Sequence, residues 1–161
     1  MKRIIVIGCP GSGKSTFAKS LQIKLQIPLY HLDMMYWRAD GSHISREELK
    51  GRLLEIMAKD EWIIDGNYGS TMEMRLEKCD TVFFLDYPTE VCLAGVRGRS
   101  GKPRSDMPFQ SLDGADEEFV QFIKSYNETS RPKVISLLEK YADKKTYIFR
   151  GRNEADAFLN G

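Results

Sequence analysis

The feature that most constrains this chain is 'GCPGSGKS', Gly8 to Ser15, which fits the pattern G-x-x-x-x-G-K-[ST] at every fixed position. It follows the apolar run Ile4 to Ile7 and opens a segment, Ser15 to Leu25, that reads as a helix. A strand, a glycine-rich turn and a helix in that order direct successive backbone N–H groups at an anion lying on the helix N-terminus. Gly8, Gly11 and Gly13 permit turns and a close approach that a Cβ would obstruct, and Pro10 and Ser12 complete the loop. Lys14 then supplies a point charge for β- and γ-phosphates. The Ser15 hydroxyl is a suitable ligand for Mg²⁺, a hard cation that prefers oxygen. Thr16 can touch the α-phosphate, and Cys9, inside the loop, reads as a small filler rather than a redox switch.

The strand before the loop is one of four short apolar runs: Ile4 to Ile7, Trp62 to Ile64, Val82 to Leu85 and Tyr147 to Phe149, with a weaker fifth at Leu29 to Leu32. Near-continuous rather than alternating hydrophobicity marks strands covered on both faces. Helical patterns lie between them. Ser45 and Glu48 form a capping box before Leu49, Leu53, Ile56 and Met57, which predicts a helix from Ser45 to about Lys59. Asp113 can cap a later helix with a Phe119, Phe122, Ile123, Tyr126 face, and Val134, Leu137, Leu138 and Tyr141 form the next. Pro132 sits in the first turn of that helix or kinks a longer one. Asn153 with Asp156 resembles a cap for a last short helix. The alternation predicts an α/β three-layer fold with a parallel sheet and right-handed crossovers.

At 161 residues, without internal repeat or linker, the chain is expected to form one domain, with an acceptor-side segment at 33–61 and a lid at 98–114. With 24 basic and 23 acidic residues it carries a formal charge of +1, so no whole-protein field draws in nucleic acid or an anionic membrane. Three cysteines without a C-x-x-C pair and two histidines encode neither a disulfide framework nor a zinc site, which predicts a reduced, cytoplasmic protein. No apolar stretch approaches the roughly 20 residues of a membrane span.

Three further clusters bear on chemistry. In 'LYHLDMMYW', Leu29 to Trp37, a strand runs into Asp33. Carboxyl ends of parallel strands frame the ligand crevice, so Asp33 could orient an acceptor hydroxyl, accept its proton or support the metal; it could also be a turn or helix cap. Tyr36 and Trp37, with Met34 and Met35, fit an acceptor pocket and core packing equally well. In 'WIIDGNY', Trp62 to Tyr68, Asp65 is placed to steady Mg²⁺ through water, or simply to make a turn with Gly66. Asn67, Tyr68 and Arg75 follow on the acceptor side. The irregular stretch Gly98 to Gly114 brings Arg97, Arg99, Lys102 and Arg104, joined by Arg131, into reach of a phosphoryl group as a closing lid. A solvated basic loop and a loop contacting nucleic acid are the alternatives.

Together, Gly8 to Thr16, 'HLDMMYW', 'WIIDGNY', 'RLEKCDTVFFLDYP' at 75–88, the arginine-rich stretch and 'FVQFIKSYNETSRPKV' resemble the small adenylate-kinase-like P-loop kinases. Within these they resemble the group labelled DNA topology modulation (FlaR-type) proteins. The resemblance implies a P-loop NTPase fold with a five-stranded parallel sheet ordered 2-3-1-4-5, a nucleoside triphosphate donor with Mg²⁺, and a lid. It also implies that 'FRGRNEA' packs near the nucleotide base, with Arg150, Gly151 and Arg152 as candidates. The segment Met34 to Glu61 is shorter than the monophosphate-binding region of adenylate kinases, and 'DGNYG' stands where they have 'DGFPR'. The short acceptor segment and Asp33 after the second strand look more like shikimate or gluconate kinases, which phosphorylate a hydroxyl.

The combined expectation is an ATP-dependent phosphotransferase acting on a small acceptor: a nucleoside, a nucleotide or another hydroxylated metabolite. Lys14 and the loop amides hold the phosphates, Ser15 and Asp65 the Mg²⁺, Asp33 the acceptor, and Arg97, Arg99 and Arg104 the developing charge. The alternative is a nucleotide-binding regulatory or DNA-associated ATPase of the topology-modulation type with no small-molecule acceptor.

Overall fold

A computed structural model describes residues 1–99 and 117–161, apart from the side chains of residues 99, 118 and 119. The chain alternates as the apolar runs dictate. In order come β1 (Arg3–Gly8), α1 (Lys14–Leu25), β2 (Leu29–His31), α2 (Leu32–Tyr36), α3 (Arg46–Met57), β3 (Trp62–Asp65) and α4 (Gly69–Lys78). Then follow β4 (Thr81–Leu85), α5 (Thr89–Arg99), α6 (Glu117–Thr129), α7 (Arg131–Lys140), β5 (Lys145–Phe149) and α8 (Arg152–Asn160). All strand pairs are parallel, in the order β2-β3-β1-β4-β5.

The three inner strands are those whose apolar runs are unbroken, since both of their faces are covered. Ile4 and Val6 enter one core cluster, with Phe83 and Leu85 of β4 beside them and Phe17, Leu21 and Ile123 from the helices. Ile5 and Ile7 enter a second, with Val82, Phe84, Leu49, Leu53 and Leu76. Alternate residues of one strand feeding two cores is the three-layer arrangement.

The Ser45 cap forms, its Oγ accepting from Glu48 N at 3.1 Å, and Leu49, Leu53, Ile56 and Met57 are buried behind it. Pro132 lies in the first turn of a separate α7. Other local expectations change. β2 ends at His31, and Leu32 and Asp33 open a short helix instead of finishing a strand. The stretch expected to be irregular from Gly98 continues α5 through Arg99. Glycine is only weakly unfavourable in a helix that tertiary packing holds. On α6, Ile123 and Tyr126 are buried but Phe122 is 44% exposed. Asn153 does not cap α8; Gly151 does, while Glu154 reaches back to accept Arg150 N at 2.7 Å. The Asp113 cap lies outside the described residues. Helices α4 and α5 went unread in the sequence.

Candidate functional site

β1 lies between β3 and β4, so the loop after it emerges where the sheet order reverses, at the carboxyl edge where open α/β sheets hold ligands. Gly8, Gly11 and Gly13 have φ of 157°, 86° and 91°. The turn closes on itself through Cys9 O, which accepts from Ser12 N at 3.0 Å and from Lys14 Nζ at 3.5 Å. Gly13 caps α1 without a side-chain hydrogen bond, and no acidic residue occupies its first turn, so the helix keeps its positive end for an anion. Ser12 Oγ and Ser15 Oγ are buried without a hydrogen-bond partner among the described residues. A buried hydroxyl without a partner costs free energy, and one at the serine of this motif fits a cation-plus-phosphate ligand set. Pro10 is half-buried and Thr16 exposed.

The loop is tightly braced from α5 and α8. A Cβ on Gly11 would stand 2.0 Å from Cys92 O, and one on Gly95 would stand 2.2 Å from Gly11 O. Arg152 donates to Gly11 O at 3.3 Å and Ser12 O at 3.4 Å, with its guanidinium over the Tyr87 ring. It thus touches the loop as well as the hollow of about 550 Å³ formed by Val91, Ala94, Gly95, Arg152 and Asn153. Arg150 points elsewhere: it is largely exposed and lies 3.5 Å from Asp86.

On the other side, the turn after β3 is held by a set of interlocking contacts. Asn67 accepts from Gly8 N at 3.1 Å and donates to Gly8 O at 2.6 Å, which ties this turn to the first glycine of the loop. The next residue, Tyr68, adopts a left-handed φ of 34°, accepts from Trp37 and donates its phenol proton to Asp33 Oδ1. Burial, then the Asp33 charge and hydrogen bond, push the phenol well above its ordinary range, so it stays a donor. Asp33 therefore sits in the first turn of α2 with its carboxylate oriented by Tyr68. Asp65 is buried and its Oδ2 takes a 2.6 Å hydrogen bond from His31 Nδ1. The sequence reading missed His31; only the pairing of β2 with β3, which sets His31 opposite Asp65, reveals it.

Arg75 departs from its expected place at the acceptor. It is fully buried and donates to Gly66 O, Asn67 O and Tyr68 O, with Nε on Thr71 Oγ1 at 3.2 Å. Burial lowers its pKa to about 10. Its planar fork shapes the turn from inside rather than facing a ligand, a role that spacing alone does not display. Asp33, Tyr36, Trp37, Arg46, Tyr68 and Ser70 line a cavity of about 420 Å³. Arg46, which the sequence reading also passed over, has no partner among the described residues.

Of the lid arginines, Arg97 is exposed on α5; the Arg99 side chain, Lys102 and Arg104 lie outside the described residues. Arg131 is paired with Asp86 at 2.9 and 2.8 Å, a two-pronged bond that raises its pKa. Among the described residues no group of three His, Cys, Asp or Glu gathers as a metal cage, and no helix is long and apolar enough to cross a membrane. A Mg²⁺ at Ser15 and Asp65 would be of the kind completed by phosphate oxygens and water.

Sheet order, glycine loop and open α1 terminus define the P-loop NTPase fold. No family model matches the chain. It is 34% identical over 97 residues to adenylate kinase of Thermotoga neapolitana, covering 58% of this chain and 43% of the relative. It is 32% identical over 113 residues to adenylate kinase of Xylella fastidiosa, covering 63% of this chain and 56% of the relative. The chain thus spans about half the length of the curated relatives it matches. Among solved structures it superposes on shikimate kinase from Bacteroides thetaiotaomicron with a TM-score of 0.59 at 19% identity, over 99% of this chain and 94% of that one. That likeness is one of fold.

Proposed function

We propose that the protein is a P-loop kinase that transfers the γ-phosphoryl group of ATP to a hydroxyl of a small molecule. The observation that carries this reading is the link across the site: consecutive residues Asn67 and Tyr68 grip Gly8 of the phosphate loop and Asp33 of the acceptor cavity. Donor and acceptor positions are thereby held in fixed relation, which is most of what phosphoryl transfer asks of a protein. The adenylate kinase relatives support an ATP donor.

In this reading the loop amides and Lys14 bind the triphosphate, and the base rests in the hollow beside Arg152. Ser15 Oγ and Asp65 would hold Mg²⁺, which would neutralise charge on the phosphates. Asp33 accepts the proton of the acceptor hydroxyl as its oxygen bonds to the γ-phosphorus and the bond to the β-phosphate oxygen breaks, releasing ADP. Arg97, Arg99 and Arg104 are proposed to meet the charge that develops. In the cavity, Asp33 provides a negative pole and Arg46 a positive one, which suits a hydroxylated acceptor carrying an anionic group, nucleotides included.

The order of 'HLDMMYW' and 'WIIDGNY' further supports membership of the topology-modulation group. A kinase with an indirect connection to DNA accommodates that label without a DNA-binding surface. The decisive experiment measures ADP release from Mg-ATP across a panel of nucleosides, nucleotides and hydroxy acids. Acceptor-stimulated turnover is expected; a basal rate that no acceptor raises would sink the kinase reading.

A further inference from the structure

Three aromatic rings, those of Tyr36, Trp37 and Tyr68, line the acceptor cavity of about 420 Å³, and Leu49 adds an aliphatic surface. The rings brace one another. Tyr36 meets Trp37 and Tyr68 edge-on, each with centroids 5.2 Å apart and planes at 88°, and lies flat against His43 at 4.7 Å. Backbone bonds fix the segment that carries two of the three: Ile44 N donates to Tyr36 O at 3.0 Å, Arg38 N donates to Ser42 O at 2.7 Å, and Trp37 pairs with His43 in an antiparallel bridge. Gly41, at a φ of 87°, makes the turn between them. A wall so interlocked is formed before a ligand arrives, which lowers the cost of ordering it on binding.

The polar groups of the cavity are few. The Tyr68 hydroxyl is already spent on Asp33, to which it donates. Arg46, the first residue of α3, is exposed and has no partner among the described residues, and Ser70 is exposed as well. A polyhydroxylated acceptor needs a partner for each hydroxyl it buries, and every one left unpaired costs free energy. A flat ring needs only the faces and edges of other rings. The cavity therefore suits an aromatic body with two polar ends better than a polyol.

We infer that the acceptor is a hydroxylated aromatic anion: a flat ring packs against Tyr36, Trp37 and Tyr68, a hydroxyl meets Asp33, and a carboxylate or phosphate meets Arg46. That this cavity is the acceptor's rests on the kinase reading above. Sugars, sugar acids and saturated ring acids are thereby excluded as preferred acceptors. Two sources share the required chemistry, an aromatic hydroxy acid and a nucleotide, whose base serves as the ring and whose phosphate serves as the anion.

The test is a fluorescence titration of the intact protein without ATP. Of the two tryptophans, Trp62 is fully buried in the core and Trp37 lines the cavity, so a change in Trp37 emission reports what enters. The probes are two matched pairs: mandelate against its saturated-ring analogue hexahydromandelate, and AMP against ribose phosphate. At least one aromatic member should give a saturable change and bind on the order of tenfold tighter than its partner. The lower midpoint of the two aromatic probes identifies the source. Trp37→Phe should remove the signal, and Arg46→Gln should weaken AMP or mandelate on the order of tenfold while leaving adenosine or benzyl alcohol unchanged. Partners without the aromatic ring that bind as tightly overturn the inference, as does the lack of a saturable response to either aromatic probe. A response that survives Trp37→Phe places the ligand elsewhere and overturns it too, and so does an Arg46→Gln effect equal on charged and neutral probes. Because no transfer is measured, loss of the aromatic preference leaves the kinase reading standing, and absence of acceptor-stimulated ADP release leaves the preference of the cavity standing.

Discussion

In the proposed site Lys14 serves the phosphates and Asp33 the acceptor, so the two should fail differently. Lys14→Ala removes the charge proposed to meet the phosphates, so equilibrium binding should show nucleotide affinity reduced on the order of a hundredfold, a loss typical of charge-assisted contacts. Asp33→Asn keeps the shape of α2 and the loop, so affinity should hold while acceptor-stimulated ADP release falls on the order of a hundredfold or more. Equal loss of binding in both variants would contradict the division of roles. Arg75 offers a contrast, because its donors all point inward. Arg75→Met should cost about 3 kcal/mol or more in denaturant unfolding, by leaving the carbonyls of Gly66, Asn67 and Tyr68 without their donor. Arg75→Lys should restore little, since a single ammonium cannot span the three.

Glycines on two helices separate local propensity from packing. A Cβ on Gly51 of α3 meets nothing within 4 Å, so Gly51→Ala should raise stability by up to about 1 kcal/mol, seen as a higher Tm. The same change at Gly95 of α5 drives a methyl into Gly11 O, so nucleotide binding should weaken even if helix propensity improves. At the base of the sheet, Asp80 joins β4 to the start of β1: its carboxylate accepts from Lys2 N and Arg3 N, both at 3.0 Å, and from Thr81 Oγ1 at 2.7 Å. Burial alone pushes its pKa up, but the Thr81 and amide hydrogen bonds outweigh that and hold it below 3.8. A carboxyl depressed in the folded state stabilises fully above its unfolded value and loses that contribution as pH falls through the folded one. Thermal unfolding below pH 3.8 should therefore show a drop that Asp80→Asn lacks, with a modest cost of about 1 kcal/mol at neutral pH because the group is exposed.

For the whole molecule, the balance of 24 basic and 23 acidic residues predicts weak, salt-sensitive contact with DNA, lost at about 0.2 M salt in a mobility-shift titration. Retention at that salt would favour the DNA-associated alternative. The inner strands, the loop 'GCPGSGKS' and the Ser45 cap were legible in the sequence because local pattern fixes each of them: continuous burial, glycine φ and an N-cap hydroxyl act within a few residues. Tertiary packing decided the rest. His31 meets Asp65 through strand pairing across 34 residues, Asn67 meets Gly8 across 59, and Arg152 reaches the loop from 141 residues away at Gly11. Arg75 was read as facing a ligand because an arginine's spacing says nothing of burial. The sequence by itself determined that a phosphate-binding turn opens a parallel sheet; only the folded chain decided which distant side chains hold that turn, since hydrogen bonds and close packing are set by proximity in space.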